Sequence, residues 1–228
     1  MKPDLLTFGE APTRVVVIDD FSQRRHDLVE MASAMAPFVP SDTSFYPGLR
    51  RYITAADGPA FAYVEDTLQQ VAPFIGGAFD IDSFTWDEAS FSLVTTPPLS
   101  LAPRQRGPHF DSTDPGYIAI LHYLGDTPGS GTAFYRHRAT GIERIDDGNV
   151  RTFVATAMAE NAATTAEWGY IGASNAYYDQ IGFVAAVPDR LIIYPGCCLH
   201  SAVIAPDMAL SDDPARGRLT ANLFVSAA

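Results

Sequence analysis

Short β-branched and aromatic runs dominate this chain, and apolar residues at helical spacing are confined to a few stretches. Val15-Val16-Val17-Ile18 reads as a buried strand. Asp19-Asp20-Phe21-Ser22 then opens a helix, with Asp20 or Ser22 as candidate N-caps. Leu28, Met31, Ala32 and Met35 continue it until Pro37 and Pro40. A second helix is predicted from Pro59 to about Ala72, with Phe61, Val64, Leu68 and Val71 as its apolar stripe and Pro73 as its end. Val150 to Glu160 reads as a third. Strands are expected over Phe84–Trp86, Ser90–Thr95, Tyr117–Leu124 and Ala133–Arg138. The apolar run Leu191–His200 is expected to be one strand that His200 closes, and Gly217–Phe224 to be the last. Ser44–Tyr52 is aromatic, basic and turn-rich, fitting a packed connector better than a lid. The mixed pattern from Ile145 to Asp189 reads as an insertion between barrel strands, one able to cover a site.

Composition narrows the class. With 228 residues and 47% apolar content the chain can bury one substantial core. We expect a single domain over 1–228, with supporting helices in 1–80, a barrel core over 81–228 and the insertion at about 145–189. The formal net charge of −12 repels phosphate backbones, so nucleic acid is not an expected partner. The cysteines, Cys197 and Cys198, are adjacent and form no disulfide framework, which fits a reducing cytoplasm. Met1–Glu10 lacks a signal-peptide pattern, and no apolar run is long enough to span a bilayer, so no membrane partner is expected.

The chemistry gathers around Pro108-His109-Phe110-Asp111. A histidine and an aspartate two apart on an extended chain point to one side, bringing together an imidazole nitrogen and a carboxylate oxygen. These are two members of a facial triad of two histidines and one carboxylate, and His200 is the candidate third. His122 lies on the opposite face of its strand from Tyr117, Ala119, Leu121 and Tyr123, and reads as a core histidine. His26 reads as a solvated surface residue. Cys198 shares the face of His200 but reads as a core filler. Arg136, His137 and Arg138 form a basic knot that either pairs with the chain's carboxylates or meets an anionic substrate.

The ordered set of His109-x-Asp111, intervening strands, His200 and then Arg218-x-Thr220 resembles the 2-oxoglutarate- and Fe(II)-dependent oxygenases of the prolyl-hydroxylase-like type. Within that superfamily it looks like a poorly characterised bacterial family. The resemblance is densest over 108–138 and 190–225. It implies an α+β fold, mainly β, with a double-stranded β-helix (jelly-roll, cupin-like) core and flanking N-terminal helices. It also implies Fe(II) held by His109, Asp111 and His200, and 2-oxoglutarate as cosubstrate. The distal carboxylate of that cosubstrate needs a buried cation, and arginine supplies a planar fork. Arg218 is the first choice and Arg216 the alternative; Thr220 adds a hydroxyl, and Tyr123 matches a tyrosine that bonds the same carboxylate in similar enzymes. Asp111 favours hydroxylation over halogenation, since halogenases of the superfamily lack the acidic ligand. The implied reaction decarboxylates 2-oxoglutarate to succinate and CO2 while oxidising a small-molecule or carrier-bound substrate. The rival expectations are a cupin-type metalloenzyme without 2-oxoglutarate and a non-catalytic binding protein. Neither the substrate nor the oligomeric state is legible.

Overall fold

A computed structural model describes residues 2–40, 46–163 and 169–228. In chain order the elements are β1 (Asp4–Phe8), β2 (Thr13–Ile18), α1 (Arg25–Ala34), β3 (Val39–Pro40), β4 (Gly48–Tyr52) and α2 (Gly58–Phe79). Then follow β5 (Phe84–Val94), β6 (Tyr117–Tyr123), β7 (Gly131–His137), α3 (Val150–Ala163), β8 (Tyr178–Ala185), β9 (Leu191–Pro195), β10 (His200–Val203) and β11 (Leu219–Ala227).

The strands form two antiparallel sheets. The larger runs β1-β2-β9-β6-β11-β5-β4-β3 and the smaller β10-β7-β8. Alternation along each strand divides the apolar residues between layers. Val16, Ile18, Ile118, Ile120 and Leu223 face outward, where α1 and α2 cover them with Leu28, Val64, Val71 and Ile75. Val15, Val17, Ala119, Tyr123, Ile192 and Tyr194 face inward and meet Phe134 and Val184 of the smaller sheet. A third cluster seats Phe153 of α3 against Ala133, Tyr135 and Tyr178 on the smaller sheet's other face. This is the expected double-stranded β-helix with flanking N-terminal helices. Among the described residues no helix is long and apolar enough to cross a membrane.

Several local expectations are corrected. The first helix starts at Arg25, and its cap residue Arg24 makes no side-chain capping bond. Asp20 and Gln23 occupy the left-handed region (φ 49° and 54°), and Ser22 is bonded to Asp189 instead. The tertiary clamp on Asp189 thus displaces the local cap. The second helix runs through Pro73 to Phe79, ending on left-handed Asp80. Losing one amide donor is outweighed there, because Ile75 and Ala78 continue the buried stripe. The two predicted strands between Phe84 and Thr95 are one, β5. Within the mixed stretch, α3 appears as predicted, and Tyr178–Ala185 is a strand of the smaller sheet.

The largest correction concerns His200. Leu191–His200 is not one strand: β9 stops at Pro195, and residues 196–199 carry the chain from the larger sheet to the smaller. His200 therefore opens β10 rather than closing β9.

Candidate metal centre and anion pocket

His109 and His200 form an isolated antiparallel bridge, each amide donating to the other's carbonyl at 2.9 Å. Their rings lie 4.4 Å apart between centroids. The Asp111 amide donates to the Gly196 carbonyl at 2.7 Å, which holds the carboxylate beside both rings. Asp111 Oδ1 is 3.9 Å from His109 Nε2, and Asp111 Oδ2 is 3.6 Å from His200 Nε2. One ligand atom from each of the three lies within 4.8 Å of the other two, the only such cluster among the described residues.

Gly196 is the hidden member of this arrangement. A Cβ there would stand 2.8 Å from Tyr117 and 3.1 Å from Cβ of Asp111. The crossover itself is braced, since Gly196 donates to Tyr117, Leu199 to Glu143 and Ile145 to Cys197. His200 Nδ1 lies 2.8 Å from the Cys198 carbonyl and so donates to it. That bond fixes the neutral tautomer, leaving the Nε2 lone pair for a metal. Burial, then the charges of His200 and Arg50, hold His109 well below the usual histidine range, although 40% of its side-chain surface still meets open space. Burial raises the Asp111 carboxyl, with His200 and Arg50 opposing it.

The second half of the site is a polar chamber on the inner face of the larger sheet. Thr220 pairs in register with Tyr123 on one side and Ser92 on the other, and Ser92 with Arg50. Arg218, only 3% exposed, donates from Nη2 to the Gly131 carbonyl at 3.0 Å and lies over the Tyr123 ring. No carboxylate lies within 4.0 Å of this guanidinium among the described residues. Seven buried side-chain polar atoms lack a hydrogen-bond partner there, and four of them, on Tyr46, Arg50, Arg218 and Asn222, line this chamber. A native interior rarely leaves such groups unpaired, so their clustering makes this chamber a candidate ligand site.

The sequence-based candidates separate accordingly. His109, Asp111 and His200 come together, and Arg218, Thr220 and Tyr123 share the adjoining chamber. The Tyr123 hydroxyl is bonded to Thr132 at 2.7 Å. Arg216 is exposed. His122 is fully buried on the outer face, as its strand parity implies, and Cys198 meets Thr13 in the core. His26 is solvated and pairs with Glu30. The basic knot is consumed within the fold: Arg136 pairs with Glu10 and Glu143, Arg138 pairs with Asp179, and His137 is hydrogen-bonded to Glu160. Of the connector predicted over Ser44–Tyr52, Ser44 and Phe45 lie outside the described residues. The rest is part of the chamber wall rather than a mere connector, through Tyr46 and Arg50.

A family model described as "Family of unknown function (DUF6445)" matches residues 1–225. The chain belongs to DUF6445. No curated protein matches it by sequence. Among solved structures, this DUF6445 chain is similar to the non-heme alpha ketoglutarate dependent epimerase SnoN from nogalamycin biosynthesis. The TM-score is 0.57 at 11% identity, covering 94% of this chain and 78% of the other. It is also similar to iron-bound HygX from Streptomyces hygroscopicus, with TM-score 0.53 and 12% identity over 93% and 81% of the two chains. A prolyl hydroxylase from Trichoplax adhaerens gives 0.52 and 11% over 93% and 83%. The shared feature is the fold, that of the Fe/2-oxoglutarate-dependent oxygenases. The DUF6445 chain also brings toward Arg218 a tyrosine that no sequence motif announces. Tyr170 donates to the Thr96 carbonyl at 2.7 Å and feels the charge of Arg218. The same tyrosine lines a neighbouring cavity of about 280 Å³ with Arg106 and residues 171–175.

Proposed function

We propose that this protein is an Fe(II)- and 2-oxoglutarate-dependent oxygenase that hydroxylates a small-molecule or carrier-bound substrate. One observation carries the reading: a histidine–aspartate–histidine cluster adjoins a chamber whose buried arginine has no acidic partner among the described residues. The donor set fits the metal, because two imidazoles and one carboxylate on one face suit non-heme Fe(II) and leave positions for other ligands. When bound, the iron would supply activation of dioxygen coupled to decarboxylation of 2-oxoglutarate to succinate and CO2. His109 and His200 would bind it through Nε2, and Asp111 through its carboxylate.

The remaining work belongs to the chain. Arg218 would take the distal carboxylate of the cosubstrate through a charge-assisted fork. Its Nε, without a partner, is a donor waiting for an acceptor. Thr220 and the Tyr46 hydroxyl, which face one another, offer further donors from the same wall. Tyr123 keeps the guanidinium in place by stacking, and Tyr194 packs its ring edge-on against His200 at 4.9 Å. These aromatic walls lower the polarity around Arg218, which strengthens a charge contact made there.

Iron content and succinate formation in anaerobically purified protein test the proposal. Stoichiometric iron and 2-oxoglutarate-dependent succinate release are expected. Iron retention unchanged by His109→Ala would defeat it. A cupin-type enzyme without 2-oxoglutarate would keep the metal cluster but have no use for a buried, acid-free Arg218.

A further inference from the structure

Arg50 is a second cation in the same chamber, and the cosubstrate does not account for it. It stands on β4, one strand beyond β5, and its guanidinium packs over the Tyr46 ring at 4.5 Å. Its side chain is 16% exposed and its Nε is buried with no partner. Among the described residues its one acid within 4.0 Å is Glu88, which stands off at 3.6 Å, long for a charge-assisted hydrogen bond. Arg50 lies close enough to the metal cluster for its charge to act on both His109 and Asp111. Its position separates it from Arg218. Arg218 is enclosed at the deep end, whereas Arg50 adjoins Glu88, whose side chain is 39% exposed, on the side that opens to solvent. The chain also carries a net −12, so a guanidinium beside the metal cluster whose only acid within 4.0 Å, among the described residues, is the part-exposed Glu88 stands out.

We propose that Arg50, backed by Tyr46, receives a carboxylate of the substrate, so that the substrate is a small molecule bearing a free carboxylate. This rests on the oxygenase reading, with Arg218 reserved for the cosubstrate. Tyr46 holds the fork in plane, and Arg50 sets which end of the substrate faces the metal cluster.

The test uses full-length protein loaded with Ni(II) and saturating 2-oxoglutarate, titrated calorimetrically with benzoate and with its neutral counterpart benzyl alcohol. Wild type is expected to prefer benzoate by roughly tenfold or more, the range of one charged hydrogen bond. Arg50→Met should abolish that preference while leaving 2-oxoglutarate affinity within about threefold. Arg50→Lys should retain part of it, which excludes misfolding as the cause. No preference in wild type would overturn the proposal. So would a loss of 2-oxoglutarate affinity of more than tenfold in Arg50→Met, since Arg50 would then belong to the cosubstrate. Failure of the oxygenase reading looks different: Arg218→Met would leave 2-oxoglutarate binding unchanged. The benzoate comparison is also run without 2-oxoglutarate, so it decides the role of Arg50 in that case as well.

Discussion

Two histidine–carboxylate clusters sit on opposite faces of the larger sheet, and their difference is instructive. On the outer face His122 is fully buried and saturated: the Tyr63 hydroxyl bonds Nδ1 at 2.9 Å and Nε2 bonds Asp189 at 2.8 Å. Asp189 in turn accepts from Ser22 Oγ and from the amides of Ser22 and Gln23. On the inner face His109, Asp111 and His200 also gather, but more loosely, their nearest nitrogen–oxygen separations being 3.6 and 3.9 Å. Those lengths are beyond hydrogen bonding. A saturated histidine locks a fold; an unsaturated pair aimed at a shared carboxylate holds room for something else. The arginines repeat the lesson, since Arg190 is forked onto Asp19 while Arg218, among the described residues, donates only to a carbonyl.

The comparison breaks most visibly at the metal. His200→Ala is expected to weaken Mn(II) or Fe(II) binding by about 100-fold or more, whereas His122→Ala leaves it unchanged. Equilibrium dialysis with metal analysis distinguishes the two, and equal losses in both would erase the distinction. Arg218→Met should come next, lowering 2-oxoglutarate affinity by roughly 30-fold or more with metal binding intact. Exposed Arg216→Met should change that affinity by less than about twofold, which settles the arginine alternative. For stability the order reverses. Asp189→Ala strands the His122 ring and two amides and should cost about 2–4 kcal/mol in denaturant unfolding. His109→Ala, at a half-open site, should cost well under that.

How much was legible follows from which forces are local. The His-x-Asp spacing brings a histidine and a carboxylate to one side because two residues of extended chain share a face, and the same parity along β6 sent His122 outward. The layer pattern of Val15 to Ile18 was likewise local. What failed involved distant partners. Ser22 looked like a helix cap, but Asp189, 167 residues away, claims its oxygen. Pro73 looked like a helix end, but burial of Ile75 carries the helix on. Arg50 and Tyr46 looked like parts of a connector, because only strand pairing across β4, β5 and β11 reveals that they look into the chamber. Gly196 in an apolar run resembles any strand glycine until Asp111 arrives beside it.

The finest contrast is in the response to acid. Burial by itself would raise the Asp189 carboxyl, but the bonds from His122, Ser22 and the Gln23 amide outweigh it and bring the group down to about 2. A carboxyl depressed on folding adds stability that is fully present above its unfolded value near 4 and is lost as pH falls toward the folded one. Wild-type melting temperature should therefore decline between about pH 4 and pH 2 through this group. Asp111 lies on the other side of the comparison, with its carboxyl raised rather than lowered. Asp189→Asn should flatten the acid limb of a plot of melting temperature against pH, starting from a lower plateau. Asp111→Asn should leave the acid limb in place. If both substitutions flatten it equally, the two clusters do not differ in the way their hydrogen bonding implies.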